Sequence, residues 1–171
     1  MAETNPQVKF ETSKGEISLE LYAEEAPTTV KNFITYIESG FYDGTIFHRV
    51  IPNFMIQGGG FDIDFKRKQT NDPIQNEANN GLKNEVGTIS MARTPDPHSA
   101  TAQFFINVAD NANLDFSSES PHGWGYGVFG KVTSGLDIVM SIVEVGTGNH
   151  AGHQNVPLEP IVIEKVSILE N

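Results

Sequence analysis

The chain has 171 residues, 38% of them hydrophobic and 19% charged, with no cysteine and a formal net charge of −11. Length and composition fit one globular domain with a sizeable core, and the acidic balance argues against a nucleic acid, and disfavours an anionic membrane surface, as partner, since both demand a basic footprint. Disulfides, thiol nucleophiles and cysteine-type zinc sites are excluded outright.

The N-terminal run Met1-Ala2-Glu3-Thr4-Asn5-Pro6 has neither a basic nor an apolar segment, so no secretory leader is read there. No apolar stretch approaches the roughly 18 residues of a membrane-spanning helix. The expected location is the cytoplasm, or the periplasm if a leader has been removed. Next, Val8 and Phe10 alternate with polar residues, Ser13-Lys14-Gly15 turns the chain, and Ile17, Leu19 and Leu21 alternate again. Period-2 runs on either side of a turn predict a hairpin with one buried face.

Residues Pro27 to Ser39 predict a helix, because Val30, Phe33, Ile34 and Ile37 follow the i, i+3, i+4, i+7 spacing. Pro27 suits the first turn, where its missing N–H costs nothing, and Gly40 suits the position just past the end. Strands are predicted over Thr45–Val50, Phe54–Gln57, Gly87–Met91, Gln103–Val108, Val128–Val132 and Ile161–Ile168. A second helix spans about Leu136 to Val143 on the stripe Leu136, Val139, Met140 and Val143, ended by Gly146-Thr147-Gly148. Helices do not alternate with strands, which argues against a parallel sheet. Many strands with two helices suggest a closed antiparallel sheet, since closure removes exposed edges. The long segments Asp62–Glu85 and Ala109–Tyr126 carry little pattern, and loops of that length in a compact domain are usually functional.

The most informative stretch runs from Phe47 to Phe61. It places Arg49, Met55 and Gln57 among aromatic residues on two short strands joined around Pro52-Asn53. If the connecting loop has an odd number of residues, Arg49 shares a face with Met55 and Gln57; a two-residue loop turns it the other way. Farther on, Gln103, Phe105 and Asn107 share one strand face, and Phe105 suits the wall of an apolar socket for a proline ring. One of Phe104 and Phe105 belongs to the core. A fixed cation and an amide beside an apolar floor offer no nucleophile and no acid or base. They suit a bond that is held and polarised rather than broken, such as the peptide bond before proline.

Other groupings carry weaker signals. His48 falls on the strand face opposite Arg49 and reads as a core or supporting residue. His150 and His153 form His-x-x-His without a third ligand nearby. Gly58-Gly59-Gly60 lacks the Lys-Ser/Thr of a phosphate loop and reads as a turn or close-approach element. Asp96, His98 and Ser99 have no nucleophile elbow beside them.

Phe47-His48-Arg49-Val50-Ile51-Pro52 followed by Phe54-Met55-Ile56-Gln57-Gly58-Gly59 is similar to the signature of the cyclophilin family of peptidyl-prolyl cis–trans isomerases. Ser90-Met91-Ala92, Gln103-Phe104-Phe105-Ile106 and Val128-Phe129-Gly130-Lys131-Val132 match it too. The runs Asn76-Glu77-Ala78-Asn79-Asn80-Gly81-Leu82 and His98-Ser99-Ala100-Thr101-Ala102-Gln103 resemble its bacterial branch. The matches extend from about Val8 to Ile168, within a single domain covering 1–171 with its core at about 7–169.

The resemblance implies a mainly β fold, a closed eight-stranded antiparallel barrel capped by two α-helices, and no cofactor or metal. It implies that Arg49 is the catalytic residue, with Phe54, Met55, Phe105 and Leu114 around the proline and Gln57 and Gln103 as polar contacts. Ala92 and Arg93 would grip the peptide before the proline through their backbone. Tyr126 stands where eukaryotic members carry a pocket histidine, and Asn113 where they carry a tryptophan that matters for cyclosporin; Arg93 replaces an asparagine. Activity on proline-containing peptides and partly folded proteins is expected to survive these changes, and cyclosporin affinity to be weakened. Trp124, in the following loop, is not the missing tryptophan. High charge and barrel closure favour a monomer. Two other readings fit parts of the pattern: a ligand-carrying β-barrel, which needs a large interior cavity, and a proline-peptide binding module without turnover.

Overall fold

The computed structural model describes residues 5–120 and 122–169. The leader expectation rests chiefly on residues 1–4 and so lies outside the described part.

Strand β1 (Gln7–Thr12) pairs antiparallel with β2 (Gly15–Leu21) across Ser13-Lys14. Val8, Phe10, Ile17, Leu19 and Leu21 are fully buried, as the alternation requires. Helix α1 (Pro27–Glu38) buries Val30, Phe33 and Ile37 on the predicted stripe, with Thr29 and Tyr36 beside them. Its N-cap, Ala26, supplies no side-chain bond. A carboxylate from far along the chain substitutes: Glu77 Oε1 accepts from both the N–H and the hydroxyl of Thr29, each at 2.7 Å. Negative charge at this end also suits the helix dipole. Past Ser39, Gly40 adopts φ 74°, and the Gly40 and Phe41 N–H groups reach back to Ile37 and Tyr36, each at 3.0 Å. This left-handed ending satisfies carbonyls that a straight stop would orphan.

The predicted strand Thr45–Val50 is not continuous. β3 (Thr45–Ile46) and β4 (Arg49–Ile51) are separated by Phe47-His48 and lie at opposite edges of one sheet. The remaining strands are β5 (Met55–Gly58), β6 (Thr88–Met91), β7 (Phe104–Asn107), β8 (Val128–Ser134) and β11 (Val162–Leu169). The nine-stranded order is β3-β11-β1-β2-β8-β6-β7-β5-β4, with every pair antiparallel. Two residues therefore connect the first and last strands, so the sheet is strongly curled. Among the described residues no ladder joins β3 to β4, and the expected closed eight-stranded hydrogen-bonded barrel is not what the ladders describe.

The inside of the curl is filled with rings. Phe33 lies edge-on to Phe104 at 5.7 Å and tilted to Phe129 at 5.0 Å, and Phe10 meets Phe104 at 5.4 Å. Edge-to-face contacts of this kind add to the burial of aromatic area. Packed rings take the place of the interior cavity that a ligand-carrying barrel needs.

Helix α2 (Leu136–Val143) has its predicted bounds but a rotated face. Val139 and Ile142 are buried, whereas Leu136 is 37% exposed. The helix starts from Gly135 at φ 91°, where a Cβ would stand 2.3 Å from the Glu16 carbonyl oxygen, so the β2 backbone sets the rotation. A second ribbon pairs β9 (Thr147–His150) with β10 (His153–Pro157). Its turn, Ala151-Gly152, has positive φ at both residues, 50° and 82°, the geometry of a type I′ hairpin. No strand is predicted over this stretch from the sequence, because alanine at the first turn position hides the signal.

Candidate active site

The β4–β5 connection decides the orientation that the sequence left open. Arg49 pairs with Gln57, Val50 with Ile56 and Ile51 with Met55, leaving the three residues Pro52-Asn53-Phe54 outside the ladder. Asn53 takes φ 61°, a left-handed value that asparagine tolerates well. The loop is odd, so Arg49, Gln57 and Met55 share a face. Arg49 Nη1 donates to Gln57 Oε1 at 3.3 Å, and Gln57 Nε2 donates to Gln103 Oε1 at 3.0 Å. This chain of amides pins one edge of the guanidinium while Arg49 stays exposed.

Beside it lies a cavity of about 120 Å³. Met55 and Phe105, 2% and 4% exposed, form its apolar floor, and Phe54 and Leu114 flank it. Tyr126 closes a wall, meeting Phe105 edge-on at 5.6 Å, and the Arg93 guanidinium lies 4.5 Å from the Tyr126 ring centre. Ala92, Arg49 and Gln57 complete the rim. Phe104, the neighbour of Phe105, points into the core instead. Gln103 does not line this cavity; it lines an adjoining one and reaches the first through Gln57. Asn113 is exposed on a short 3-10 turn (Ala112–Leu114).

Behind the walls is a polar network that the sequence reading missed. Asn84, 1% exposed, donates through Nδ2 to the carbonyls of Leu114 (3.2 Å) and Tyr126 (3.3 Å), and Asp115 Oδ1 accepts from its N–H at 2.7 Å. Its Oδ1 accepts from Ser90 Oγ at 2.6 Å and from Asn107 Nδ2 at 3.1 Å. Asn111 then links Asn107 Oδ1 (2.8 Å) to the Phe54 carbonyl (2.9 Å). Three cavity walls on different loops are thus tied to one buried amide. The visible hint was Asn107, a polar residue directly after the apolar run Phe104-Phe105-Ile106.

The remaining groupings resolve into structure. Gly58, Gly59 and Gly60 are close-approach positions: a Cβ on Gly60 would stand 2.5 Å from Gln103 Cγ. His48 is 4% exposed and packs edge-on against Phe61 at 4.6 Å. Of the two readings, core or supporting residue, it is the core one, and its Nδ1 has no hydrogen-bond partner among the described residues. Burial first, then His153, Arg49 and Arg67, lower its pKa from 6.5 to about 4. His150 and His153 both pack on the Phe65 ring, at 4.9 and 5.2 Å. Asp96, His98 and Ser99 build a local turn: Asp96 Oδ1 accepts from His98 N–H at 2.9 Å, and His98 Nδ1 is occupied by the Asn76 N–H at 3.1 Å. Trp124 is buried between His98 and Phe116.

The two-helix, curled antiparallel fold is shared with solved cyclophilins. A crystal structure of a cyclophilin type peptidyl-prolyl cis-trans isomerase from Cryptosporidium parvum superposes with a TM-score of 0.80 at 27% identity, covering 98% of this chain and 99% of that one. The same protein in the presence of the dipeptide Ala-Pro gives 0.79 at 27% identity, covering 96% and 99%. The family model described as "Cyclophilin type peptidyl-prolyl cis-trans isomerase/CLD" matches residues 7–168. Peptidyl-prolyl cis-trans isomerase cyp18 of Streptomyces antibioticus is 62% identical over 95% of this chain and 98% of its own length. Peptidyl-prolyl cis-trans isomerase B of Escherichia coli K12 is 57% identical over 95% and 99%. The chain belongs to the cyclophilin type peptidyl-prolyl cis–trans isomerase family and is an isomerase of X–Pro peptide bonds. No helix of the described residues is long and apolar enough to cross a membrane.

Proposed function

We propose that Arg49 is the catalytic residue and that the cavity beside it holds the substrate's proline ring. The observation that carries this is the Arg49–Gln57–Gln103 chain, which aims a fixed cation over an apolar floor without a carboxylate to neutralise it. Resonance sets a rotation barrier of about 18–20 kcal/mol. As the amide twists, its nitrogen becomes pyramidal and its lone pair can accept a hydrogen bond that the planar amide cannot. A guanidinium donor at that nitrogen stabilises the twisted state over both planar ones, which is the condition for catalysis. Arginine suits this role because its donors sit in a rigid, permanently charged fork. The Phe105 and Met55 floor fixes the ring and lowers the local dielectric, which strengthens the bond.

Ala92 and Arg93 hold the backbone on the N-terminal side of the proline. The Ala92 N–H already donates to the Gln103 carbonyl at 3.0 Å, so the Ala92 carbonyl and the Arg93 N–H are the groups left for the peptide. Counted as one bent strand, β3 and β4 turn the nine-stranded order into an eight-stranded closed barrel. The chain then acts as one domain and as a monomer, in the cytoplasm, on unfolded or partly folded proteins. Cyclosporin binds weakly, because Asn113 offers no indole.

The deciding experiment measures the cis-to-trans rate of an X–Pro peptide with wild type and Arg49→Ala. Catalysis that collapses in a folded Arg49→Ala supports the assignment. An unchanged kcat/KM in that variant would remove Arg49 from the mechanism, and a wild type that binds the peptide without accelerating it would leave only a binding module.

A further inference from the structure

The ribbon β9–β10 contributes nothing to the lining of the cavity beside Arg49. Its chemistry is narrow. From Val145 to Leu158 the chain carries no aspartate, glutamate, lysine or arginine, and His150 and His153 are its only titratable side chains. The spacing His-x-x-His says only that the two are close along the chain. The register says more: they are direct partners across the two-residue turn Ala151-Gly152. Residues opposed in this way project from the same face, with Cβ atoms about 4.5–5.5 Å apart. Two imidazoles at that separation can close on one ion at the roughly 2 Å of a metal–nitrogen bond.

The surroundings support a ligand there. Both rings pack on Phe65, at 4.9 and 5.2 Å between centroids, and His153 also meets Phe61 at 5.3 Å, yet both histidines stay exposed. Behind His153, at 6.3 Å, lies His48, 4% exposed and without a partner at Nδ1 among the described residues. A buried nitrogen left unpaired is a place where water or an ion is missing from the protein's own bonds. Water carried by an ion at His153 can donate to it, the kind of outer contact that orients metal sites.

We propose that His150 and His153 form an exchangeable two-histidine site for a late first-row divalent cation of the Ni²⁺, Cu²⁺ and Zn²⁺ class. Imidazole pairs suit these ions, whereas Mg²⁺ and Ca²⁺ need oxygen ligands that the ribbon lacks. Among the described residues no three histidine, cysteine, aspartate or glutamate side chains converge as a metal cluster, so water fills the remaining coordination positions. That makes the site open and labile, unlike a closed structural zinc. Arg67, over the Phe61 ring at 5.6 Å, opposes an incoming cation, and the net charge of −11 over the whole chain draws cations in. The inference is independent of the proline-binding reading.

The test titrates the full chain, without an added histidine tag, by calorimetry with Cu²⁺, Ni²⁺ and Mg²⁺ at about pH 7.5. One ion per chain is expected, Cu²⁺ tighter than Ni²⁺, and no heat from Mg²⁺. His150→Gln and His153→Gln should each weaken Ni²⁺ by at least about tenfold. The double variant should lose little more than either single one, because one imidazole cannot chelate. The folded ribbon holds the pair ready, so saturating Ni²⁺ should raise the wild-type Tm by about 3–8 °C and leave the double variant unmoved. Unchanged kcat/KM on an X–Pro peptide shows that the variants are folded. His150→Gln alone, at an exposed position, carries the reading if His153→Gln disturbs the packing on Phe61. A wild type that binds neither Cu²⁺ nor Ni²⁺ would overturn the site. So would Ni²⁺ binding that survives in the folded double variant, or binding that leaves the wild-type Tm where it was.

Discussion

A Cβ on Gly60 would stand 2.5 Å from both Cγ and Nε2 of Gln103, so the absence of a side chain at residue 60 is what lets the Gln103 amide lie where Gln57 can donate to it. The third glycine of Gly58-Gly59-Gly60 is therefore part of the support beneath Arg49, although it lines only the adjoining cavity and not the one beside Arg49.

Gly60→Ala is expected to fold and to lose about 10- to 100-fold in kcat/KM, because Gln103 must swing away and release Gln57 and Arg49. A double-mutant cycle with Gln103→Ala checks the cause. The two changes should be far from additive, since the single Gln103→Ala already breaks the same chain. Additive losses would mean that Gly60 acts by another route.

Arg49→Lys keeps the charge but loses the planar fork. Recovery of no more than a few per cent of wild-type kcat/KM is expected, because an ammonium cannot both hold Gln57 and reach the amide nitrogen. Activity close to wild type would show that charge alone suffices.

The pH behaviour follows from His48. Its folded pKa, about 4, lies below the ordinary value of 6.5. Above pH 6.5 both folded and unfolded chains hold it neutral and its contribution is complete. Between pH 6.5 and 4 the unfolded chain takes up a proton that the folded chain refuses, so stability falls as pH falls, by up to about 3 kcal/mol. Urea titrations of wild type and His48→Leu at pH 7, 5.5 and 4 measure this, and the variant should gain on wild type as pH drops. The isomerisation rate should stay flat between pH 6 and 8, since no proton is transferred. A bell-shaped profile there would contradict a non-titrating mechanism.

Asn84→Ala strips a partner from Ser90 and from Asn107 and removes the amide donor to the carbonyls of Leu114 and Tyr126, while the backbone N–H of residue 84 keeps its bond to Asp115. A loss of about 3 kcal/mol in urea unfolding is expected, because buried polar groups are left unpaired. KM should rise more than kcat falls, as the cavity walls loosen while Arg49 keeps its own bonds.

Local spacing carried the secondary structure well. The first hairpin, α1 and the bounds of α2 follow from period-2 and period-3.6 runs among neighbours in the chain. The Phe47–Phe61 stretch also revealed the cation, the amide and the Met55 part of the apolar floor, because one hairpin supplies all three, whereas Phe105 comes from β7. It left open which way Arg49 faces: side-chain direction reverses with one residue of loop length, and only the left-handed Asn53 in a three-residue loop settles it. The apolar stripe of α2 misjudged the buried face, because Gly135 packs on the backbone of β2 and turns the helix. The family resemblance, not spacing, put Leu114 and Tyr126 with Phe105; tertiary structure alone tied them to Asn84 and gathered Arg67, Lys68 and Arg93 around one cleft. Those residues lie tens of positions apart on loops without periodicity, where meeting depends on how the sheet curls and on which buried amides need partners. Sequence spacing records neither.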